Sequence, residues 1–269
     1  MKGIIFDIER NSFVDGPGIR TTVFFKGCNL KCLWCHNPES QAPKPQIMFY
    51  KSKCTGCGRC TEITAESTDF ICFNDAKEIC GREATSDEVL TEILKDKPFF
   101  ENSGGGVTFS GGECMLQIDF LCELLKKCKD CGIHTAVDTA GCVPWQSFER
   151  VLKYTDLFLY DIKLFNGEKH RQYVGADNTV ILENLKKLFE AQANVCVRIP
   201  LIGGLNDNEE ELLLIKEFLQ PYKPAKVELL PYHNMGTHKY EALNIQNREF
   251  TVPNADTVKK LSAVFNDFN

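Results

Sequence analysis

Short apolar runs typical of β-strands recur along this chain, and amphipathic stretches with a helical period lie between them. The six strand candidates are Thr21–Phe25, Val107–Phe109, His134–Val137, Leu157–Tyr160, Val195–Ile199 and Val227–Leu230. The helical faces are Leu121, Leu124, Leu125 and Cys128; Ile181, Leu185 and Leu188; and Leu212, Ile215 and Leu219, with Asn206 or Asp207 as the last N-cap. This alternation predicts an α/β fold with parallel strands, either a partial barrel or a doubly wound sheet. In both folds, ligands bind at the carboxyl ends of the strands.

The segment 46–84 interrupts this alternation. It holds five of the fourteen cysteines and shows little periodicity. We therefore interpret residues 46–84 as an inserted ferredoxin-like module, and residues 1–45 together with 85–269 as the main domain.

The composition narrows the classes of protein and of partner. A formal net charge of −6 gives no reason to expect a nucleic-acid partner or an anionic membrane surface. We see no signal peptide and no apolar run near the roughly 20 residues that span a bilayer, so we expect a cytoplasmic protein. Disulfides are rare in that compartment, so the clustered cysteines indicate metal or iron–sulfur ligation. The scattered cysteines are interpreted as small core residues: Cys114, Cys122, Cys128, Cys131, Cys142 and Cys196.

The loop Gly27–Asn37 follows the first predicted strand and carries Cys28, Cys32 and Cys35 in the spacing C-x3-C-x2-C. A [4Fe–4S] cluster normally takes four thiolates, so three of them leave one iron open for chemistry on a substrate. The alternative is that these cysteines bind zinc. Structural zinc prefers four ligands from paired C-x2-C units, and His36 adjoins Cys35 too closely to serve easily as the fourth.

The three-cysteine spacing after the first strand, with Trp34 before the last cysteine, resembles the radical S-adenosylmethionine (SAM) enzymes. Further motifs follow in order over nearly the whole chain: VDGPGIR (Val14–Arg20), HNPES (His36–Ser40), GGGVTFSGGE (Gly104–Glu113), DTAG (Asp138–Gly141), LYDIK (Leu159–Lys163) and LLPYHN (Leu229–Asn234). Together they resemble the glycyl-radical-enzyme activating enzymes. The resemblance implies a partial (β/α)6 barrel. It also implies an activity in which reductive cleavage of SAM gives a 5′-deoxyadenosyl radical that abstracts hydrogen from a glycine of a partner glycyl radical enzyme.

The resemblance also implies a set of residues around SAM, whose amino and carboxylate groups would bind the free iron. These residues are Trp34, Cys35, His36, Gly111, Gly112, Glu113, Asp138, Asp161, Ile162, Lys163, Arg198 and His233. The backbone of the two glycines would approach the SAM amino group closely. Lys163 and Arg198 would neutralise the SAM carboxylate through charge-assisted bonds. Trp34 and His36 would lie near the adenine.

A monovalent cation near the SAM carboxylate is a further implication of the resemblance. Its proposed ligands, Asp138, Thr139 and Asp161, fall at predicted strand ends. Two positions depart from the family pattern, because Cys114 and Gly203 stand where proline is usual. Neither of them replaces a proposed ligand.

The partner protein is expected at a second loop. Asp15, Gly16, Pro17, Gly18 and Arg20 form a rigid turn with few side chains, and the resemblance implies that it receives the glycine-bearing peptide. We expect a monomer that takes its electron from flavodoxin or ferredoxin. Because reduced clusters and the organic radical react with oxygen, the mechanism implies an anaerobic setting.

In the insert, Cys54, Cys57 and Cys60 form C-x2-C-x2-C, as in bacterial ferredoxins. We predict one auxiliary [4Fe–4S] cluster with Cys72 as its fourth ligand and Cys80 as the competitor. The cluster would relay electrons or serve structure and docking. The alternative is an insert that binds zinc or nothing.

The insert argues against activating enzymes of pyruvate formate-lyase, which lack it. It favours a dehydratase, decarboxylase or lyase partner, and its single cysteine run suggests hydroxyproline dehydratase. Two other classes stay open from sequence alone: a radical SAM enzyme that acts on a small molecule, and a non-catalytic metal-binding protein.

Overall fold

The computed structural model describes residues 1–60, 63–65, 67 and 71–268. The strands within these residues are β1 (Lys2–Ser12), β2 (Arg20–Phe25), β3 (Gln46–Phe49), β4 (Lys77–Cys80), β5 (Arg82–Thr85), β6 (Gly106–Gly111), β7 (His134–Thr139), β8 (Leu157–Asp161), β9 (Val195–Leu201) and β10 (Lys226–Pro231). The helices are α1 (Ser86–Leu94), α2 (Lys97–Ser103), α3 (Ile118–Asp130), α4 (Trp145–Val151), α5 (Gly167–Val174), α6 (Thr179–Glu190), α7 (Glu209–Leu219), α8 (Thr237–Ala242) and α9 (Ala255–Ser262). None of the helices in this described part is long and apolar enough to cross a membrane.

The main sheet has the order β10-β9-β8-β7-β6-β2-β1-β5. Its parallel part, from β2 through β6 to β10, consists of the six predicted strands, each paired with the next one along the chain. Helices connect the successive strands from β6 to β10, and the two edge strands β10 and β5 do not pair with each other. The partial (β/α)6 barrel is therefore confirmed. Two antiparallel strands that were not predicted, β1 and β5, extend the sheet beyond β2.

The predicted helical faces are buried against this sheet. Leu124 and Leu125 of α3, Leu185 of α6 and Leu212 of α7 belong to one continuous apolar core. The predicted N-cap of α7 was wrong, because Asn208 accepts the hydrogen bond from the backbone N–H of Glu211. Asn206 instead lies buried, and its side-chain amide donates to the carbonyls of Lys163 and Pro200.

The segment between β2 and α1 leaves the main sheet. β3 and β4 form a separate antiparallel pair, with Gln46 opposite Cys80. β5 then returns to the main sheet beside β1, so residues 82–84, predicted as part of the insert, pair in the main sheet, and the predicted boundary after residue 84 lies within this strand. Residues 61, 62, 66 and 68–70 of the predicted insert lie outside the described residues.

Candidate active site

The three-cysteine loop leaves the carboxyl end of β2 and lies against the end of α5. The backbone N–H of Lys31 donates to the carbonyl of Val174 at 2.8 Å, and that of Leu33 donates to Tyr173 at 3.0 Å. These two hydrogen bonds attach the cysteine loop to the end of helix α5. It carries three half-buried thiols that form no disulfide, those of Cys28, Cys32 and Cys35.

The three thiols lie close enough for their charges to interact. Burial raises the pKa of Cys28 to about 11 and that of Cys32 to about 12, and the charges of Cys28 and Cys35 add to the rise at Cys32. Burial also raises the pKa of Cys35. The ammonium group of Lys163 acts in the opposite direction on all three thiols. Three neighbouring thiols beside a cation fit a group that binds thiolates.

The three thiols are the donors that an iron–sulfur cluster takes. In a [4Fe–4S] cube each cysteine binds its own iron, so three cysteines occupy three of the four irons. The donor set therefore fits a [4Fe–4S] cluster with one iron left for another ligand.

A polar cavity of about 750 Å³ opens at the carboxyl ends of the parallel strands, with Ser110, Asp138 and Arg198 in its wall. Arg198 Nη1 lies 3.8 Å from Asp138 Oδ1, and Arg198 Nε lies 3.8 Å from Asp161 Oδ1. Both distances are too long for hydrogen bonds. Asp161 Oδ1 and both of these Arg198 nitrogens are buried without a hydrogen-bond partner. Buried charges normally have partners, so these orphaned atoms fit a charged ligand such as SAM.

Lys163 and Arg198 are both held in their charged form. Lys163 Nζ lies 2.8 Å from Asp161 Oδ2. Burial alone would lower the pKa of Lys163 and of Arg198, but the aspartate charges raise both above their usual values. Ile162, which lies between the two LYDIK charges, is buried in the core, and its backbone N–H donates to the carbonyl of Arg198.

Glu113 of the GGE motif faces the loop after β7. Its carboxylate is fully buried and accepts the Thr139 hydroxyl at 2.8 Å and the Ala140 backbone N–H at 3.1 Å. Burial raises the pKa of Glu113 to about 7. Glu113 therefore joins two loops of the site through its side chain. The Thr139 hydroxyl, predicted beside a cation, donates its hydrogen bond to Glu113.

The two glycines of this motif, Gly111 and Gly112, pack against β2 and the start of the cysteine loop. The backbone N–H of Gly112 donates to the carbonyl of Phe25, and that of Glu113 donates to Gly27. A Cβ atom at Gly112 would lie 2.3 Å from the Gly27 carbonyl oxygen. Glycine is needed here because the two loops approach so closely.

The three residues predicted near adenine and SAM come together at the other end of the loop. The rings of His36 and His233 pack edge to face, with centroids 4.5 Å apart. Trp34 lines the same small cavity, together with Tyr232 and Tyr240. Burial lowers the pKa of His36 to about 4, so its ring is neutral at physiological pH. His36 and His233 also line the polar cavity of about 750 Å³, so their rings border the space that a base would enter.

The Asp15–Arg20 loop is held by its own charged residues. Arg20 is fully buried and donates to the carbonyls of Val107 at 2.6 Å and Pro17 at 3.1 Å. The Asp15 carboxylate accepts the hydroxyl of Thr22 at 2.8 Å. Both residues, predicted for peptide binding, use their side chains to hold the loop in place.

The exposed part of this loop borders a second cavity. Phe13 and Val14 are 71% and 77% exposed. With Gly16 and Pro17 they line a largely apolar cavity of about 710 Å³ that extends along β8, β9 and β10. Val14 also lines the polar cavity, so the two cavities meet at this loop.

The insert cysteines fall into two environments. Cys54, Cys57, Cys60 and Cys72 all line one cavity of about 210 Å³. Cys80 is buried in a different place. Backbone N–H groups of the segment 74–77 lower the pKa of Cys72, which favours its thiolate.

Several known proteins that resemble this chain in sequence are activating enzymes of glycyl radical enzymes. A trans-4-hydroxy-L-proline dehydratase activating enzyme of Clostridioides difficile is 41% identical over 295 aligned residues, covering 100% of this chain and 98% of the relative. A choline trimethylamine-lyase activating enzyme of Oleidesulfovibrio alaskensis is 39% identical, covering 90% and 87%. A solved domain of a pyruvate-formate lyase-activating enzyme from Bacteroides vulgatus is 32% identical with a TM-score of 0.53, covering 61% of this chain and 94% of that one.

The Radical SAM superfamily profile matches residues 22–214, which include the three-cysteine loop and most of the parallel sheet. This match, the partial barrel and the three-thiol loop together define a radical SAM enzyme. The chain belongs to the glycyl-radical-enzyme activating enzymes of that superfamily. Membership implies a [4Fe–4S] cluster, SAM as cofactor and a glycyl radical enzyme as the protein that is activated.

Two residues at the cysteine loop were missed by the sequence analysis. Tyr240 donates its hydroxyl to the carbonyl of Cys35 at 2.8 Å, and Lys239 forms an ion pair with Glu39 at 2.6 Å. Both follow the LLPYHN motif by less than two helical turns, which is the one signal that points to them.

Proposed function

We propose that this activating enzyme acts on a glycyl radical dehydratase, with trans-4-hydroxy-L-proline dehydratase as its partner. The observation that carries the proposal is the 41% identity to the corresponding activating enzyme over 100% of this chain and 98% of the relative. The single C-x2-C-x2-C run in the insert points the same way. A monomer in the cytoplasm would carry out this activation, with flavodoxin or ferredoxin as the electron donor.

Cys28, Cys32 and Cys35 would hold the SAM-binding cluster. When bound there, the cluster would supply the electron for reductive cleavage of SAM, the chemistry by which hydrogen would be taken from the partner's glycine. Arg198 and Lys163 would hold the SAM carboxylate through charge-assisted hydrogen bonds, because both are buried cations and Arg198 has unpartnered nitrogens.

His36, His233 and Trp34 would enclose the adenine. The neutral His36 ring can both donate and accept a hydrogen bond there. The backbone of Gly111 and Gly112, held by Glu113, would meet the SAM amino group. A ligand enclosed by these groups is shielded from water, which protects a reactive radical.

A monovalent cation is proposed beside Asp138 and Asp161. Asp161 Oδ1 is buried without a hydrogen-bond partner, and the charged atoms of Arg198 lie 3.8 Å from both aspartates. A cation beside Asp161 Oδ1 would supply the missing partner. Thr139 Oγ1 donates to Glu113 and accepts the backbone N–H of Gly141, so one lone pair of this oxygen would remain for the cation.

We assign the auxiliary [4Fe–4S] cluster to the insert 46–84, with Cys54, Cys57, Cys60 and Cys72 as its ligands. Support comes from the single cavity that all four thiols line and from the backbone N–H groups that favour the Cys72 thiolate.

The experiment that tests the partner is anaerobic activation with dithionite and SAM. Purified trans-4-hydroxy-L-proline dehydratase, choline trimethylamine-lyase and 4-hydroxyphenylacetate decarboxylase are each incubated with the enzyme. We expect the electron paramagnetic resonance (EPR) doublet of a glycyl radical on the first protein, with at least a tenfold lower yield on the others. A glycyl radical formed only on one of the other two proteins would refute the dehydratase assignment. The absence of a radical on all three proteins would show that none of them is the partner.

The Asp15–Arg20 loop would receive the partner's glycine segment, and Gly18 offers a sharp test. A Cβ atom at Gly18 would lie 2.4 Å from the backbone nitrogen of Gly105, so Gly18→Ala must displace the loop. Gly104 has the same φ of +67° but has nothing within 4 Å of its Cβ position. Gly104→Ala therefore controls for backbone strain alone.

We expect Gly18→Ala to lower the glycyl radical yield at least tenfold relative to Gly104→Ala, while both variants still cleave SAM with dithionite. The two quantities are measured by EPR and by chromatography of 5′-deoxyadenosine. Equal radical yields in the two variants would mean that the position of this loop does not matter for the partner.

A further inference from the structure

Helix α8 lies against the segment that continues the cysteine loop. The Tyr240 hydroxyl donates to the carbonyl of Cys35 at 2.8 Å. Lys239 Nζ lies 2.7 Å from Asn37 Oδ1 and 2.6 Å from Glu39 Oε1. Two adjacent side chains of one helix therefore hold three positions of the loop.

A second lysine holds the same segment from the other side. Lys26, at the end of β2, is fully buried, and its Nζ donates to the carbonyl of Glu39 at 2.5 Å. The Glu39 side chain is only 6% exposed, and its Oε2 has no hydrogen-bond partner. Lys239 forms the direct ion pair with this buried carboxylate, and the charge of Lys26 also acts on it, so the Lys239–Glu39 pair helps to fix the position of the segment.

We infer that Lys239 and Tyr240 are positioning residues that hold the segment Cys35–Glu39, and thereby set the orientation of Cys35 and His36 toward SAM. The inference rests on the proposed placement of SAM and its cluster at this loop. Tyr240 also lines the small cavity with Trp34 and His36, so its ring and its hydrogen bond act on the same end of the site.

The test measures SAM affinity of the anaerobic, cluster-loaded enzyme. SAM is mixed with the reduced protein and each sample is frozen at once, before cleavage consumes the ligand, so that the change in the EPR spectrum of the cluster gives the dissociation constant. The variants are Tyr240→Phe, Lys239→Arg, and the double variant Lys239→Met with Glu39→Gln. The double variant removes both charges of the Lys239–Glu39 pair, so its fold is spared the unpaired carboxylate that Lys239→Met alone would leave, and Lys26 keeps its hydrogen bond to the backbone carbonyl of residue 39. Lys259→Met, at an exposed position on α9, is the control.

We expect Tyr240→Phe and the double variant to keep the iron content of the wild type, to lose only about 2–4 °C in melting temperature, and to bind SAM about tenfold more weakly, the order expected when such hydrogen bonds are lost. Lys239→Arg should recover most of the affinity, and Lys259→Met should lose none. Wild-type SAM affinity in both Tyr240→Phe and the double variant would overturn the inference. A wild-type enzyme whose cluster signal ignores SAM would overturn the proposed function itself, and the inference with it.

Discussion

Replacing Cys28, Cys32 and Cys35 together by alanine should abolish SAM cleavage and lower the iron content from about eight to about four atoms per chain. These three thiols are the protein's only proposed ligands to the SAM-binding cluster, and they lie together at the carboxyl end of β2 beside Lys163. Without them, Arg198 and Lys163 would still attract a carboxylate, but no group would deliver the electron. The measurements are anaerobic iron and sulfide content, and 5′-deoxyadenosine formed with dithionite.

A matched control replaces three other cysteines, Cys122, Cys128 and Cys131, which lie on or directly after α3 and outside the site. Cys128 is a buried core residue, so this variant should lose some stability but keep about eight irons and SAM cleavage. If the Cys28, Cys32 and Cys35 variant kept SAM cleavage, the placement of the cluster on this loop would be wrong. Zinc in the wild type without SAM cleavage would contradict the radical mechanism altogether.

The positions of the parallel strands could be predicted because strands covered on both faces are apolar along their whole length. β6 is buried at five of its six positions, and β8 at four of five, so each stands out as a short apolar run. β1 could not be predicted in this way. Its second half alternates between exposed and half-buried residues and carries Asp7 and Glu9, because it lies outside the helix-covered part of the sheet.

In the site, too, features formed by residues near one another in the sequence could be predicted, whereas features formed by distant residues could not. The three cysteine ligands share one loop, so their spacing alone indicates a cluster. The role of Glu113 depends on Thr139, which is 26 residues away, and that of Lys239 depends on Glu39, 200 residues away. No local pattern reports such a pairing. Arg20 illustrates the converse, because a motif marked it as important, but only the structure shows that its charge points inward.

Cys72→Ala should remove the auxiliary cluster and its iron, about four atoms per chain, whereas Cys80→Ala should leave both in place. Cys72 lines the same cavity as Cys54, Cys57 and Cys60, and backbone N–H groups lower its pKa. Cys80 lies in another environment, where burial raises its pKa to about 11 and where its neighbours are Met48 and Ala242.

Iron content and EPR spectra of the two single variants therefore distinguish the two candidates for the fourth ligand. Each variant keeps the three cysteines of the SAM-binding loop, so dithionite-driven SAM cleavage serves as an internal control for the main cluster. If Cys80→Ala loses iron and Cys72→Ala does not, the ligand is Cys80, and the hairpin β3–β4 would have to open to bring it to the cavity. If neither variant loses iron, either the fourth ligand lies elsewhere or the insert holds no cluster. In the expected case, loss of glycyl radical formation in Cys72→Ala alongside intact SAM cleavage would assign the insert a role in activating the partner, and unchanged radical formation would make its cluster dispensable for that step.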